Sequence, residues 1–161
     1  MTAAASTLLE DEAATLRAAR ELAARLQPGD VVALSGPLGV GKSCFARAML
    51  RALGVRDAAL PSPTYAIIQP YRGAHGPVAH MDWYRIDDEA ELRLTGVAEY
   101  LVAPWITLVE WPERGMGLLP AAYWRVELAI PADAPGSRRM VLAPPAWQGS
   151  PKSPTGSPES G

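Results

Sequence analysis

Cysteine is almost absent from this 161-residue chain, and Cys44, the only one, can neither close an internal disulfide nor build a cysteine-rich zinc site. A reducing, cytosolic setting is therefore expected. Lysine is nearly as scarce: of 15 basic residues only Lys42 and Lys152 are lysine. The preference for arginine, like the abundance of alanine, reads as a genome-wide bias, which makes Lys42 the more informative of the exceptions because Lys152 falls in a Pro/Ser/Gly-rich tail. Strong charge is missing too. A formal net charge of -2 and a pI near 5.7 leave no global electrostatic footprint for gripping a long nucleic-acid backbone. No uninterrupted apolar run reaches the roughly 18 residues of a membrane span, and the first residues show no basic segment followed by an apolar one. No membrane partner is expected.

What is present amounts to about one domain with a core large enough to need neither disulfide nor metal. From Asp11 the chain reads DEAATLRAARELAARLQPGD, with Leu16, Ala19, Leu22, Ala23 and Leu26 at helical spacing, Asp11 as N-cap and Pro28-Gly29 as the stop. VVALS, residues 31–35, is a continuous apolar run of the kind found in strands buried on both faces. Residues 42–53 have Phe45, Met49 and Leu53 four apart, a second helix closed by Gly54. Strands are then expected over residues 64–71, 78–86 and 105–111, a short capped helix over 87–96, and a final hairpin from 123–130 and 138–142. Strands and helices mix, with a parallel pair expected around the glycine-rich loop. The pattern predicts an α/β fold, a single three-layer domain of the P-loop NTPase type with a mixed, partly parallel sheet and a C-terminal hairpin. That domain is assigned to residues 1–143, and residues 144–161 are read as a disordered tail.

Between the first strand and the second helix lies SGPLGVGKSC, residues 35–44, in which Gly36, Gly41, Lys42 and Ser43 satisfy G-x-x-x-x-G-K-[ST]. Gly36, Gly39 and Gly41 let the backbone turn and approach phosphate oxygens closely, so that successive N–H groups point inward. Lys42 supplies a cation for the β- and γ-phosphates at the positive end of the helix, and Ser43 a hydroxyl for Mg²⁺. Cys44, at the same helix terminus, reads as a small packing residue beside the phosphates.

Hydrolysis also needs a carboxylate for the metal and a group to orient water. Asp82 after VAHM and Glu110 after ITLV both stand at the end of an apolar run. The bland alternatives are a surface ion pair of Asp82 with Arg85 and a solvated strand end for Glu110. Ser62, Pro63 and Thr64 form a stiff, hydroxyl-bearing segment placed where a γ-phosphate sensor would be, or an ordinary turn. His75 and His80 read as structural or exposed, since neither has the partner spacing of a metal ligand. A GTPase would need an N/T-K-x-D segment, which the chain lacks, and a transporter-type ATPase a larger domain. A small-molecule kinase using the same loop is the alternative to a small ATPase serving a partner protein, although arginines for a lid are scattered. No arginine finger is evident in cis, so slow intrinsic turnover is expected.

GPLGVGKS, SPTY at residues 62–65, H-x-D-x-Y-R at His80, Asp82, Tyr84 and Arg85, and EWPE at residues 110–113 occur in the order and at roughly the separations of the bacterial TsaE family. Over residues 12–142 the chain resembles that family. The resemblance implies a cytosolic, weakly active ATPase of the tRNA threonylcarbamoyladenosine pathway, using ATP and Mg²⁺. It implies TsaB and TsaD as protein partners, with tRNA reached only through their complex, and an ATP cycle that resets the complex between turnovers. By position, residues 39–44, Val40 and Cys44 included, bind phosphates. Ser43 and Glu110 hold Mg²⁺, Asp82 lies on the γ-phosphate side, and Thr64 matches the switch-like threonine. Trp111 matches the tryptophan after the site glutamate, and Glu12 and Thr15 lie close to the base. The family often has an arginine of the last hairpin near the nucleotide; GSRRM shifts the register, and Arg138 is the candidate. Pro37, Val40 and Ser43 replace the usual aspartate, alanine and threonine, and serine preserves the metal-binding hydroxyl.

Overall fold

The computed structural model describes residues 4–145. Its seven strands are β1 (Ala5–Leu9), β2 (Val31–Ser35), β3 (Ile68–Gly73), β4 (Gly76–Asp82), β5 (Ile106–Glu110), β6 (Trp124–Ala129) and β7 (Arg138–Ala143). The helices are α1 (Glu12–Ala23), α2 (Lys42–Ala52) and α3 (Glu89–Leu94). One sheet holds all the strands, in the order β1-β7-β6-β2-β5-β4-β3. β2 runs parallel to both β5 and β6, and β4 parallel to β5. The pairs β3/β4, β6/β7 and β1/β7 are antiparallel. The architecture is thus the expected α/β fold with a mixed, partly parallel sheet and the expected C-terminal hairpin.

The central position of β2 explains its unbroken apolar sequence. Val32 and Leu34 join a core with Leu22 of α1 and Phe45 and Met49 of α2. Val31 joins the opposite core, built around Met81, Trp83, Ile86, Leu92 and Val109. A strand clothed on both faces cannot alternate apolar with polar residues. Asp11 caps α1 as expected, its Oδ1 accepting from Ala14 N at 2.8 Å, and Asp88 caps α3 by accepting from Glu91 N at the same distance. α1 stops at Ala23, before Pro28-Gly29, because the chain turns there and Asp30 Oδ2 accepts from Gln27 N at 2.8 Å.

Several boundaries differ from the sequence expectation. Residues 64–67 are a turn rather than strand, with Ile67 in the left-handed region at φ 69° and its N–H bonded to Pro63 O at 2.7 Å. The strand expected over 78–86 ends at Asp82, since Asp82 Oδ1 accepts from Tyr84 N at 2.9 Å and draws the chain out of the ladder. β1 was not foreseen: ASTLL has only one buried position, so no burial signal marks it, and it exists by pairing with β7. Pro144 is buried, so packing continues past the expected boundary at 143; residues 146–161 of the expected tail, with Lys152, lie outside the described residues.

Phe45 joins the helix that follows the glycine-rich loop to this core and is fully buried. Phe45→Ala is expected to destabilise the fold by about 3–5 kcal/mol, measured as a fall in the urea midpoint at unchanged slope.

Candidate functional site

The loop between β2 and α2 leaves the sheet at the carboxyl end of β2, where neighbouring β5 and β4 also end. Gly36, Gly39 and Gly41 all have positive φ, at 152°, 80° and 111°. Gly36 is needed for space as well: a Cβ there would stand 2.6 Å from Leu128 O and 2.8 Å from Val40 Cγ1. At Gly39 and Gly41 a Cβ would meet nothing within 4 Å, so the front of the loop is open. Gly41 is also the N-cap position of α2, which has no side-chain cap and no acidic residue in its first turn. Its free N–H groups and positive dipole end remain available for an anion.

Lys42 is only 5 % exposed. Its ammonium donates to the Gly36 carbonyl and to Pro37 O at 3.2 Å, and it lies 3.8 Å from the centroid of the Trp111 ring. Burial pushes its pKa below the usual lysine value, opposed by the negative charges of Glu110, Glu113 and Asp82. An anion seated against Nζ would favour the charged form further.

Asp82 and Glu110 are cross-strand partners at the ends of β4 and β5, both buried. Ser43 Oγ donates to Glu110 Oε1 at 2.9 Å, and Glu110 Oε2 meets His80 Nε2 at 2.6 Å. Asp82 Oδ2 accepts from Ser62 Oγ at 3.2 Å and from Thr64 Oγ1 at 3.1 Å. Neither bland alternative describes these carboxylates. Arg85 stacks instead over Tyr65, 4.0 Å from its ring centroid, and Glu110 is 2 % exposed rather than solvated. The 62–64 segment is tied to the site by both its hydroxyls.

These groups line one cavity of about 360 Å³, together with Gly39, Gly41, Cys44, Arg47, Tyr84 and Trp111. Next to it, sharing Gly41 and Cys44, is a cavity of about 320 Å³ whose walls include Glu12, Thr15, Val40, Leu128 and Arg138. The first is bounded by Lys42, Arg47, two carboxylates and hydroxyls; the second sets Leu9, Val40 and Leu128 beside Asp11, Glu12, Thr15 and Arg138. Adjoining chambers that combine apolar side chains with a few convergent polar and charged groups have the make-up of a small-molecule site. Every site residue expected from the sequence falls on one of the two, except Gly36, which shapes the loop behind them. Arg138 Nε donates to Val40 O at 2.7 Å, joining the last hairpin to the loop.

Among the described residues no group of three or more His, Cys, Asp or Glu side chains has the arrangement of a metal site. The donors present nonetheless suit Mg²⁺, which is commonly held through one or two carboxylates with water and substrate phosphates completing its shell. Ser43 Oγ and Glu110 Oε1 are adjacent hard oxygens facing the open loop, and Asp82 stands beside them.

Sequence reasoning missed three participants. His80 is structural, as one of its readings had it, yet its partner is Glu110, 30 positions away and visible only once β4 and β5 are paired. The alternation His80, Asp82 along β4 was the available signal, because it puts both on one face. Arg47, four residues after Ser43 and so one helical turn further along α2, also lines the cavity. Tyr84 packs on Trp111, ring centroids 4.9 Å apart.

Comparison with known proteins places the chain by family and fold. The family model described as "Threonylcarbamoyl adenosine biosynthesis protein TsaE" matches residues 9–140. The tRNA threonylcarbamoyladenosine biosynthesis protein TsaE of Rickettsia bellii is 35 % identical over 124 residues, covering 77 % of this chain and 85 % of that protein. Its namesake from Bacillus subtilis is 41 % identical over 93 residues, 58 % of this chain and 57 % of that one. The crystal structure of Bacillus subtilis YdiB superimposes with a TM-score of 0.74 at 27 % identity, covering 90 % of this chain and 88 % of the other. No helix among the described residues is long and apolar enough to cross a membrane. The chain belongs to the TsaE family of threonylcarbamoyl adenosine biosynthesis proteins.

Proposed function

We propose that this protein is a Mg²⁺-dependent ATPase that serves tRNA threonylcarbamoyladenosine formation, its slow hydrolysis cycling a complex with TsaB and TsaD homologues in the cytoplasm. The observation that carries the reading is the convergence of Lys42, Ser43, Asp82 and Glu110 on the open side of the glycine loop, with a second chamber adjoining. The relatives' names supply the pathway; the geometry supplies the chemistry.

In this reading the backbone N–H groups of residues 39–44 and the Lys42 ammonium bind and orient the phosphates. Ser43 and Glu110 would hold magnesium, which when bound neutralises charge on the β- and γ-oxygens. Asp82, already bonded to Ser62 and Thr64, connects the γ-phosphate side to the 62–64 segment, so that loss of that phosphate is felt by those hydroxyls. Trp111, in the left-handed region at φ 57°, covers Lys42 and keeps water from it. Glu12, Thr15 and Arg138 border the chamber suited to the base. Hydrolysis rather than phosphoryl transfer to a metabolite is expected, so labelled γ-phosphate should appear as inorganic phosphate; its recovery on a small molecule would support a kinase instead.

Two substitutions test the assignments. Lys42→Ala should weaken ATP binding by about 100-fold or more, read by titration of a fluorescent analogue, because the cation facing the β/γ-oxygens is removed; unchanged affinity would reject the phosphate site. Glu110→Ala should lower kcat by about 100-fold while changing ATP affinity far less, and equal turnover would give the metal to another group. Co-purification with TsaB and TsaD homologues should depend on whether ATP or ADP is supplied.

A further inference from the structure

Glu110 has its two oxygens committed in different directions. Oε1 accepts from the Ser43 hydroxyl at the cavity wall, and Oε2 meets His80 Nε2 at 2.6 Å within the sheet. His80 is 0 % exposed. It lies opposite Leu108 in the β4/β5 ladder, two positions before the Asp82/Glu110 pair, so the contact is a diagonal one across parallel strands. The terminal torsion of a glutamate is broad and roughly two-fold, and neighbouring backbone alone does not choose among its orientations.

From this geometry we infer that His80 is a positioning residue for the Glu110 carboxylate, donating from Nε2 to Oε2 and thereby presenting Oε1 beside Ser43 to a phosphate-bound divalent cation. An ionised carboxylate only accepts hydrogen bonds, which makes the imidazole the donor. Its second nitrogen, Nδ1, has no hydrogen-bond partner among the described residues, so the bond to Glu110 is the ring's polar attachment. Buried outer partners of this kind orient metal-binding side chains, and their removal typically costs about 10- to 100-fold in metal affinity or activity. His80 is not among the residues that line the cavity, and its hydrogen bond runs to Glu110, through which it acts. The inference rests on the proposed Mg²⁺-nucleotide site.

The decisive comparison uses His80→Leu, which keeps apolar bulk without a donor, and His80→Gln, whose amide N–H reaches toward the position of Nε2. Fluorescent ADP binding is titrated with Mg²⁺ and with EDTA, and kcat and KM for ATP are measured beside thermal stability. His80→Leu is expected to raise the Mg²⁺ concentration for half-maximal binding by about 10-fold or more and to lower kcat comparably, with ADP affinity in EDTA unchanged. His80→Gln is expected to recover most of both. A folded His80→Leu variant with parental Mg²⁺ dependence and kcat overturns the inference, as does a folded His80→Gln variant as impaired as Glu110→Ala. Should His80→Leu fail to fold, His80→Gln decides: near-parental Mg²⁺ dependence is the expected result, and impairment equal to that of Glu110→Ala overturns the inference. A parent protein lacking Mg²⁺-dependent nucleotide binding would overturn the proposed site together with this inference; a parent that binds and turns over beside an unaffected His80→Leu overturns this inference alone.

Discussion

Parallel pairing of β2 with β5, and of β5 with β4, is the constraint from which the site follows. Parallel strands end on the same rim, so the glycine loop leaving β2, the carboxylate ending β5 and the carboxylate ending β4 must meet there. The register makes the meeting close: Leu34 and Asp82 both stand opposite Glu110, one on each side. An antiparallel arrangement of the same strands would put Lys42 and Ser43 at the far end from one of the acids. α2 begins where the loop ends, and its apolar face on the sheet fixes the direction of its positive terminus.

Placing charge at that rim costs solvation. Among the described residues the buried polar side chains are Lys42, His80, Asp82, Thr107 and Glu110, and four of these belong to the site. Each is compensated by a specific partner: carbonyls and an indole face for Lys42, a hydroxyl and an imidazole for Glu110, two hydroxyls and a backbone N–H for Asp82. Buried charges without such bonds would be neutralised or expelled. The cavity is therefore preorganised by the protein's own bonds, and a triphosphate with its cation would exchange some of them for stronger charge-assisted ones.

Much of this was legible beforehand, and the exceptions have physical reasons. The loop, its flanking strand and helix, and the role of Asp11 as a cap could be read because each depends on neighbours within a few residues. Glu110 and Asp82 stood out as acids closing apolar runs, but a sequence alone does not state which strands pair, so the His80–Glu110 contact stayed hidden. The bend after Pro63 and the end of β4 were misjudged because side-chain hydrogen bonds to Asp82 overrode the strand propensity of residues 64–67 and 83–86. β1 gave no signal, since its partner lies beyond residue 137 and its residues remain mostly exposed.

In the proposed reading a single nucleotide spans the two adjoining chambers, with its phosphates on Lys42 and its base between Thr15 and Arg138. A crystal structure of the protein with a non-hydrolysable ATP analogue and Mg²⁺ tests that claim most directly. The expected result is a metal coordinated at Ser43 and Glu110, the γ-phosphate beside Asp82, and the adenine in the chamber lined by Glu12, Val40 and Leu128. A nucleotide bound elsewhere on the molecule, with Lys42 still held on the Pro37 carbonyl and the glycine loop empty, would contradict it.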